Sequence, residues 1–220
     1  RASLSAARLP DPMSELLELA TRVAGWAKDG EQVEAFVVHE RETEVRAYEG
    51  EIESLSSAES QGIGVRVVVD GKQGYAYAGT LDEDALGETL TEARDNAAFA
   101  ESDEFNGVAE PDGVSPSVLE LFDERLALFS TDDKVALAIE LERATRAADP
   151  RISGIESAEY IDTIYESAVA TSTGIASVTR ETGCYVSAYA LAEENGETQT
   201  GFGFSLGRHP GELNVSAAAA

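Results

Sequence analysis

Two histidines, one cysteine and a few acidic clusters are the side chains here whose types suit catalysis or metal binding, and their spacing limits what they can do. His39-Glu40 could open a zinc-protease helix, which needs a second histidine about one turn later to put both imidazoles on one face of the metal. Thr43 and Glu44 stand there instead, and the alternating pattern around them reads as strand, so the pair is read as polar residues at a strand end. His209 sits beside Pro210 in a turn, with no Cys or His at ligand spacing, and reads as a surface residue. Cys184 alternates with Val186 and lacks an adjacent base or helix N-terminus, so it reads as a small packing residue. Gly62-Ile63-Gly64 lacks the third glycine and following helix of a dinucleotide site, and there is no Gly-rich loop ending in Lys-Ser/Thr. Asp82-Glu83-Asp84 and Asp132-Asp133 fall in helix first turns, where negative charge suits the macrodipole, and lack the spacing of a calcium loop. The expectation is a chain with no catalytic, cofactor-binding or metal-binding residue of its own.

The elements that would position any site follow a repeated order. Ser14 can cap a helix whose apolar positions Leu16, Leu17, Ala20, Val23, Ala24 and Ala27 recur at helical spacing up to Asp29-Gly30. Strand-like runs follow at Val33 to Glu40, Glu44 to Tyr48, Ile52 to Ser60, Ile63 to Val69 and Gln73 to Ala78, punctuated by Gly50, Gly62 and Asp70-Gly71. Thr80-Leu81-Asp82-Glu83 reads as a capping box opening a helix through Leu86, Leu90, Ala93 and Ala97. After a Pro- and Gly-containing stretch, Ser130-Thr131-Asp132-Asp133 starts another helix that stops at Asp149-Pro150. Strands recur at Ile152 to Ser157, Tyr160 to Ala170, Ala176 to Arg180, Tyr185 to Ala192 and Thr198 to Leu206, with turns at Thr173-Gly174 and Asn195-Gly196. The expected fold class is α+β, two units of antiparallel β-meander with flanking helices.

The boundaries expected are a disordered extension at 1–12, because Met13 directly precedes the first helix, a first α+β domain at 13–105, a linker at 106–117 and a second α+β domain at 118–220. The chain stops within what reads as a helix after Leu213, so a further C-terminal domain is expected beyond Ala220.

Forty-two acidic against 16 basic residues give a net charge of −26, which opposes counterion-release binding to a phosphate backbone. Direct nucleic-acid binding is therefore not expected. The longest apolar runs are too short to span a membrane, and a single cysteine permits no internal disulfide, which makes the cytoplasm the expected compartment.

Gly62-Ile63-Gly64-Val65-Arg66-Val67-Val68-Val69-Asp70-Gly71-Lys72-Gln73-Gly74-Tyr75-Ala76-Tyr77-Ala78-Gly79, with Glu49-Gly50-Glu51-Ile52-Glu53-Ser54 upstream, resembles the first domain of the TldD/PmbA, or modulator of DNA gyrase, family. The resemblance runs from about Met13 to the last residues. Ala192-Glu193-Glu194-Asn195-Gly196 leading to Gly207-Arg208 looks like the PmbA (TldE) branch. The resemblance implies cytoplasmic proteins that pair as TldD with PmbA and form a metal-dependent peptidase trimming unfolded peptides, including microcin precursors and antitoxins. It places the metal in a His-Glu-x-x-x-His helix of the TldD-type subunit's C-terminal domain, a motif no position here matches, so zinc is expected in the partner or in a missing domain.

Three readings follow. The chain is a PmbA-type partner of a TldD-like subunit, or itself homodimeric; or it is a catalytic TldD-type chain whose ligands lie beyond Ala220; or it is a non-enzymatic modulator binding a toxin or a topoisomerase. Under the first, the Gly-rich aromatic strands Gly74 to Ala78 and Gly201 to Phe204 offer backbone to an extended substrate peptide, with Gly74, Tyr75, Gly201 and Gly203 as contacts. The competing reading of these glycines is that they relieve crowding against helices.

Overall fold

Tight hairpins organise the chain. Glu49-Gly50, Asp70-Gly71 and Asn195-Gly196 each place two consecutive residues at positive φ (53° and 81°, 51° and 72°, 54° and 83°). That is the type I′ geometry whose twist matches the strands it joins. The computed structural model describes residues 12–114 and 117–220. The turns connect β1 (Glu31–Tyr48) to β2 (Glu51–Val69), β2 to β3 (Lys72–Ala78), and β5 (Ala176–Glu194) to β6 (Glu197–Gly207). With β4 (Ile152–Thr171), these strands form a six-stranded sheet in the order β3-β2-β1-β4-β5-β6. Five helices accompany them among the described residues: α1 (Pro12–Ala24), α2 (Glu83–Phe99), α3 (Glu124–Ala127), α4 (Thr131–Ala148) and α5 (Val215–Ala218). The class is α+β.

Contacts divide the described chain into two compact units interleaved in sequence. One takes the segment up to His39, Ser60–Ser117 and Glu166–Thr179; the other takes Glu40–Glu59, Val118–Tyr165 and Arg180–Ala220. They do not follow the consecutive halves 13–105 and 118–220, because strands of 18 to 20 residues run through both units. Such lengths arise where the sequence suggests pairs of shorter strands. Arg41-Glu42, read as an interruption, is solvated strand. Gly62, read as a break, lies within β2 where a Cβ would stand 2.7 Å from the Ala78 carbonyl oxygen, so the glycine permits close strand pairing.

In the first unit, Leu16, Ala20 and Val23 of α1 and Leu86, Leu90 and Ala93 of α2 bury against alternate residues Val33, Ala35, Val37, Ile63, Val65 and Val67 of β1 and β2. In the second, Ala138 and Leu141 of α4 and Ala218 of α5 pack with Val45, Ala158, Tyr160, Cys184, Val186 and Ala188. Each core lies beneath one set of strand side chains, as period-two alternation requires.

The helix starts divide into one success and one correction. Ser130 caps α4 by accepting from the Asp133 amide at 3.2 Å, as its sequence suggests. Thr80 forms no capping box. Its hydroxyl donates to Asp82 at 2.8 Å, Asp82 is the N-cap without a side-chain cap bond, and Glu83 reaches Arg22 at 2.7 Å instead of turning back. Residues 1–11 of the extension lie outside the described residues, and Pro12 is already helical, a proline at the first helical position. The stretch before residue 115 is pinned rather than loose: Asp103 donates its amide to Gly71, Val108 to the Gln32 side chain, and Thr173 its hydroxyl to Ala109.

Candidate functional site

His39, on β1, lies with Nδ1 3.3 Å from Oε2 of Glu166, a β4 carboxylate that is almost wholly buried. His209 caps the short 3-10 turn Pro210–Glu212: its Nδ1 accepts from the Gly211 amide at 3.0 Å. Among the described residues, no group of three or more His, Cys, Asp or Glu side chains is placed to hold a metal ion. The described residues therefore do not supply the donor set of a metal centre.

Cys184 is buried, with its thiol directed at the Gly207 carbonyl oxygen at 3.6 Å. Burial, and then the nearby carboxylates of Asp162 and Glu212, push the thiol up to about 12. A thiol in that state is protonated at neutral pH and a poor nucleophile. Iodoacetamide at pH 8 is expected to modify Cys184 far more slowly in the native chain than in the urea-unfolded chain; equal rates, read by intact mass, would contradict this packing.

One buried polar group was not visible in the sequence. Lys134 places Nζ 2.7 Å from Asp162 Oδ2 and donates to Thr43 at 3.2 Å, while the buried Tyr160 hydroxyl donates to the same Asp162 oxygen at 2.7 Å. The Tyr160-Ile161-Asp162 alternation puts the phenol and carboxylate on one strand face, but nothing local shows that a lysine from α4 meets them. Every member has a partner, which suits a structural network.

The four glycine and tyrosine positions read as peptide contacts occupy two strands, β3 and β6, which end the sheet order on either side. Gly74 faces α2: a Cβ built there would overlap the Ala93 carbonyl oxygen and the Ala97 amide nitrogen. Gly203 likewise faces α5, where a Cβ would overlap the Ala218 carbonyl oxygen. The inner faces of both glycines are thus filled by helix backbone, the packing role weighed against peptide contact. Tyr75 lies over Gly64, its ring and hydroxyl occupying the space of the missing side chain, and stacks with Tyr77 at 6.4 Å between centroids. Gly201 has open space at its Cα and lines a cleft of about 740 Å³ with Ala148 of α4, Ala188 and Ala190 of β5, and Ala218.

The outward side of the β5–β6 hairpin is the more exposed surface. Cross-strand partners Tyr189 and Phe202, Ser187 and Phe204, and Tyr185 and Leu206 share it, with Phe202, Phe204 and Leu206 63%, 56% and 68% exposed. Phe202 packs against Phe204 at 5.9 Å and Tyr189 at 6.4 Å between centroids. An apolar surface of this kind beside a sheet edge suits docking of an extended segment.

Comparison with known proteins places this geometry in context. Residues 33–97 match the family model described as PmbA/TldA metallopeptidase domain 1, and residues 124–219 match that of the PmbA/TldA metallopeptidase central domain. The chain is 25% identical over 203 residues to the metalloprotease PmbA of Escherichia coli O157:H7, covering 92% of this chain and 45% of that protein. Among solved structures it is similar to a proposed modulator of a DNA gyrase from Thermotoga maritima (TM-score 0.75, 22% identity, 92% of this chain and 45% of that one). It is also similar to TldE from Thermococcus kodakarensis (TM-score 0.75, 17% identity, 94% and 45%). A third, from Bacteroides thetaiotaomicron, is described as a proposed modulator of DNA gyrase (TM-score 0.76, 21% identity, 96% and 48%). At these identities the structures speak to the fold, and the chain spans about half the length of the relatives it matches.

Proposed function

The chain belongs to the PmbA/TldD metallopeptidase family, and from that premise we propose that it is part of a PmbA-like, non-catalytic subunit of a peptidase that processes unfolded peptides. The observation that carries this reading is the similarity to PmbA along 92% of the chain. In the proposed assembly a TldD-like partner holds zinc, which supplies a metal-activated water for peptide hydrolysis. This chain's residues bind and orient the peptide and build the subunit interface. The cytoplasmic setting proposed agrees with the lone buried thiol, and no helix among the described residues is long and apolar enough to cross a membrane. The strong negative charge argues against direct DNA contact.

Co-expression with a TldD-like protein tests the proposal. Expected are co-purification, zinc in the partner, and cleavage of unfolded casein by the pair but by neither protein alone. Cleavage by the full-length form of this chain alone, with stoichiometric zinc, would assign it the catalytic role. A stable pair that leaves casein intact would remove the peptidase reading.

A further inference from the structure

The asparagines of the chain are Asn96, Asn106, Asn195 and Asn214, and two of them, Asn106 and Asn195, precede a glycine. That pair of residue types carries a reaction of its own. The backbone nitrogen of the following residue can attack the asparagine Cγ and close a five-membered succinimide, and glycine, with no Cβ, leaves that nitrogen open to approach. Ala97 and Val215, which follow the other two asparagines, each set a Cβ beside it.

Tertiary structure separates the two Asn-Gly sites. Asn106 is half-buried in the pinned loop: its Nδ2 donates to the Gly71 carbonyl oxygen at 2.9 Å, its amide donates to Asp103 at 3.1 Å, and the Gly107 carbonyl oxygen accepts from Arg66 at 3.2 Å. Bringing its Cγ onto the Gly107 nitrogen means breaking the Nδ2 bond first. Asn195 is exposed at the first position of a type I′ turn, at φ 54°, and its side chain makes no hydrogen bond among the described residues. The last cross-strand pair of the β5–β6 ladder is Glu194 with Glu197, so the Asn195-Gly196 peptide lies beyond the ladder. Ring closure still requires the two-residue turn to open, and the like charges at its mouth lower the cost of opening. Arg151 approaches Glu194 at 3.6 Å but is held more closely by Asp149 at 2.8 Å, and no basic residue lies between Thr182 and Gly207.

We propose that Asn195 is a site of spontaneous deamidation, and that the isoaspartate formed there opens the β5–β6 hairpin and is a substrate for an S-adenosylmethionine-dependent isoaspartyl carboxyl methyltransferase. The Gly196 nitrogen gives its proton to hydroxide and bonds to the Asn195 Cγ; the Cγ–Nδ2 bond breaks, and the side-chain nitrogen takes up a proton and leaves as ammonia. Water then opens the ring. Attack at Cγ yields aspartate, whereas attack at the backbone carbonyl carbon yields isoaspartate, with the chain running through Cβ and Cγ and the α-carboxylate free. That carboxylate can take the methyl group of S-adenosylmethionine, with S-adenosylhomocysteine as the leaving group. Isoaspartate lengthens the main chain by one methylene inside a two-residue turn, which cannot then keep the Glu194 and Glu197 register, and either product adds a carboxylate to Glu193, Glu194 and Glu197. The site is independent of the peptidase reading.

The test ages the purified chain in mildly alkaline buffer at physiological temperature and maps its peptides by mass spectrometry. Expected is exchange of the side-chain NH2 for OH at Asn195 at least about tenfold faster than at Asn106 in the folded chain, because the Asn106 bonds must first be given up. Once guanidinium has unfolded the chain, the two sites should react at similar rates. The aged chain should accept tritiated methyl groups from S-adenosylmethionine and purified isoaspartyl methyltransferase. The Asn195→Gly variant, aged alike, should keep its fold and lose most of that uptake, since Gly-Gly suits the same turn. Hydrogen exchange at residues 191–200 should quicken in the aged chain and not in the aged variant. Equal rates at Asn195 and Asn106 in the folded chain, methyl uptake unaltered by Asn195→Gly, or unchanged exchange in a chain whose Asn195 has been converted would each overturn the proposal.

Discussion

Replacing Lys134 with methionine is expected to destabilise the chain by about 3–5 kcal/mol, the usual result of leaving one member of a buried ion pair without its partner. The side chains of Lys134 and Asp162 are 12% and 6% exposed, and their 2.7 Å contact is bordered by the Tyr160 hydroxyl on the same oxygen. Burial and then the Asp162 carboxylate hold the Tyr160 phenol above its ordinary range, so it stays a neutral donor and cannot neutralise the aspartate. Methionine conserves most of the lysine's volume, which separates loss of charge from loss of packing. Lys134 also stands in the first turn of α4, where the helix dipole disfavours a cation, so pairing with Asp162 accounts for its position. Urea unfolding gives the measurement. The double variant Lys134→Met/Asp162→Asn should recover much of the loss, and a single variant within about 1 kcal/mol of the parent would contradict the network.

Gly74→Ala is expected to be nearly as damaging, by about 3 kcal/mol. The added methyl would meet backbone atoms of α2 at Ala93 and Ala97, and backbone cannot rotate aside as a side chain can. α2 must lift from β3, uncovering Leu90 and Ala93 of the first unit's core. Gly79→Ala is the control, because no atom lies within 4 Å of a Cβ there. Similar urea midpoints for the two variants would mean that the helix does not rest on Gly74.

What the sequence disclosed and concealed follows the range of the forces involved. Asp70-Gly71 and Asn195-Gly196 announce their turns because positive φ at two successive positions is a local demand that few residues meet. Ser130 is legible for the same reason, its partner being three residues away. Thr80 misleads because the helix begins later than the box pattern requires, with Asp82 as its N-cap, so that Glu83 stands at the first helical position and not the third. Strand continuity is hidden because polar residues such as Arg41 and Glu42 sit as readily on a solvated strand as in a loop. At the candidate site, the alternation of Phe202 and Phe204 with glycine shows that the aromatic side chains share one face. That α2 and α5 fill the space beside Gly74 and Gly203 depends on where helices dock about fifteen to twenty residues later, which no local pattern encodes. The Lys134, Asp162 and Thr43 grouping is concealed more deeply, since it joins three distant segments.

The turn between β1 and β2 has a consequence in time. Glu49 occupies a left-handed conformation at φ 53°, which suits asparagine or glycine better than glutamate. Its amide and that of Gly50 are both held by the buried carboxylate of Glu142, at 2.9 and 2.8 Å. The partner that secures this turn is encoded 93 residues later. At the usual pace of synthesis, about 5–20 residues per second, the ribosome takes roughly 5–19 s to supply it. During that interval the β1–β2 turn lacks its acceptor, whereas the groups that bond the Asp70-Gly71 turn, in Ser102, Asp103 and Asn106, lie only 32 to 35 residues ahead. The nascent chain should therefore fix the second hairpin first and hold the first open until α4 emerges, a delay during which the long, polar, two-sided start of β2 keeps the waiting strand dissolved rather than sticky.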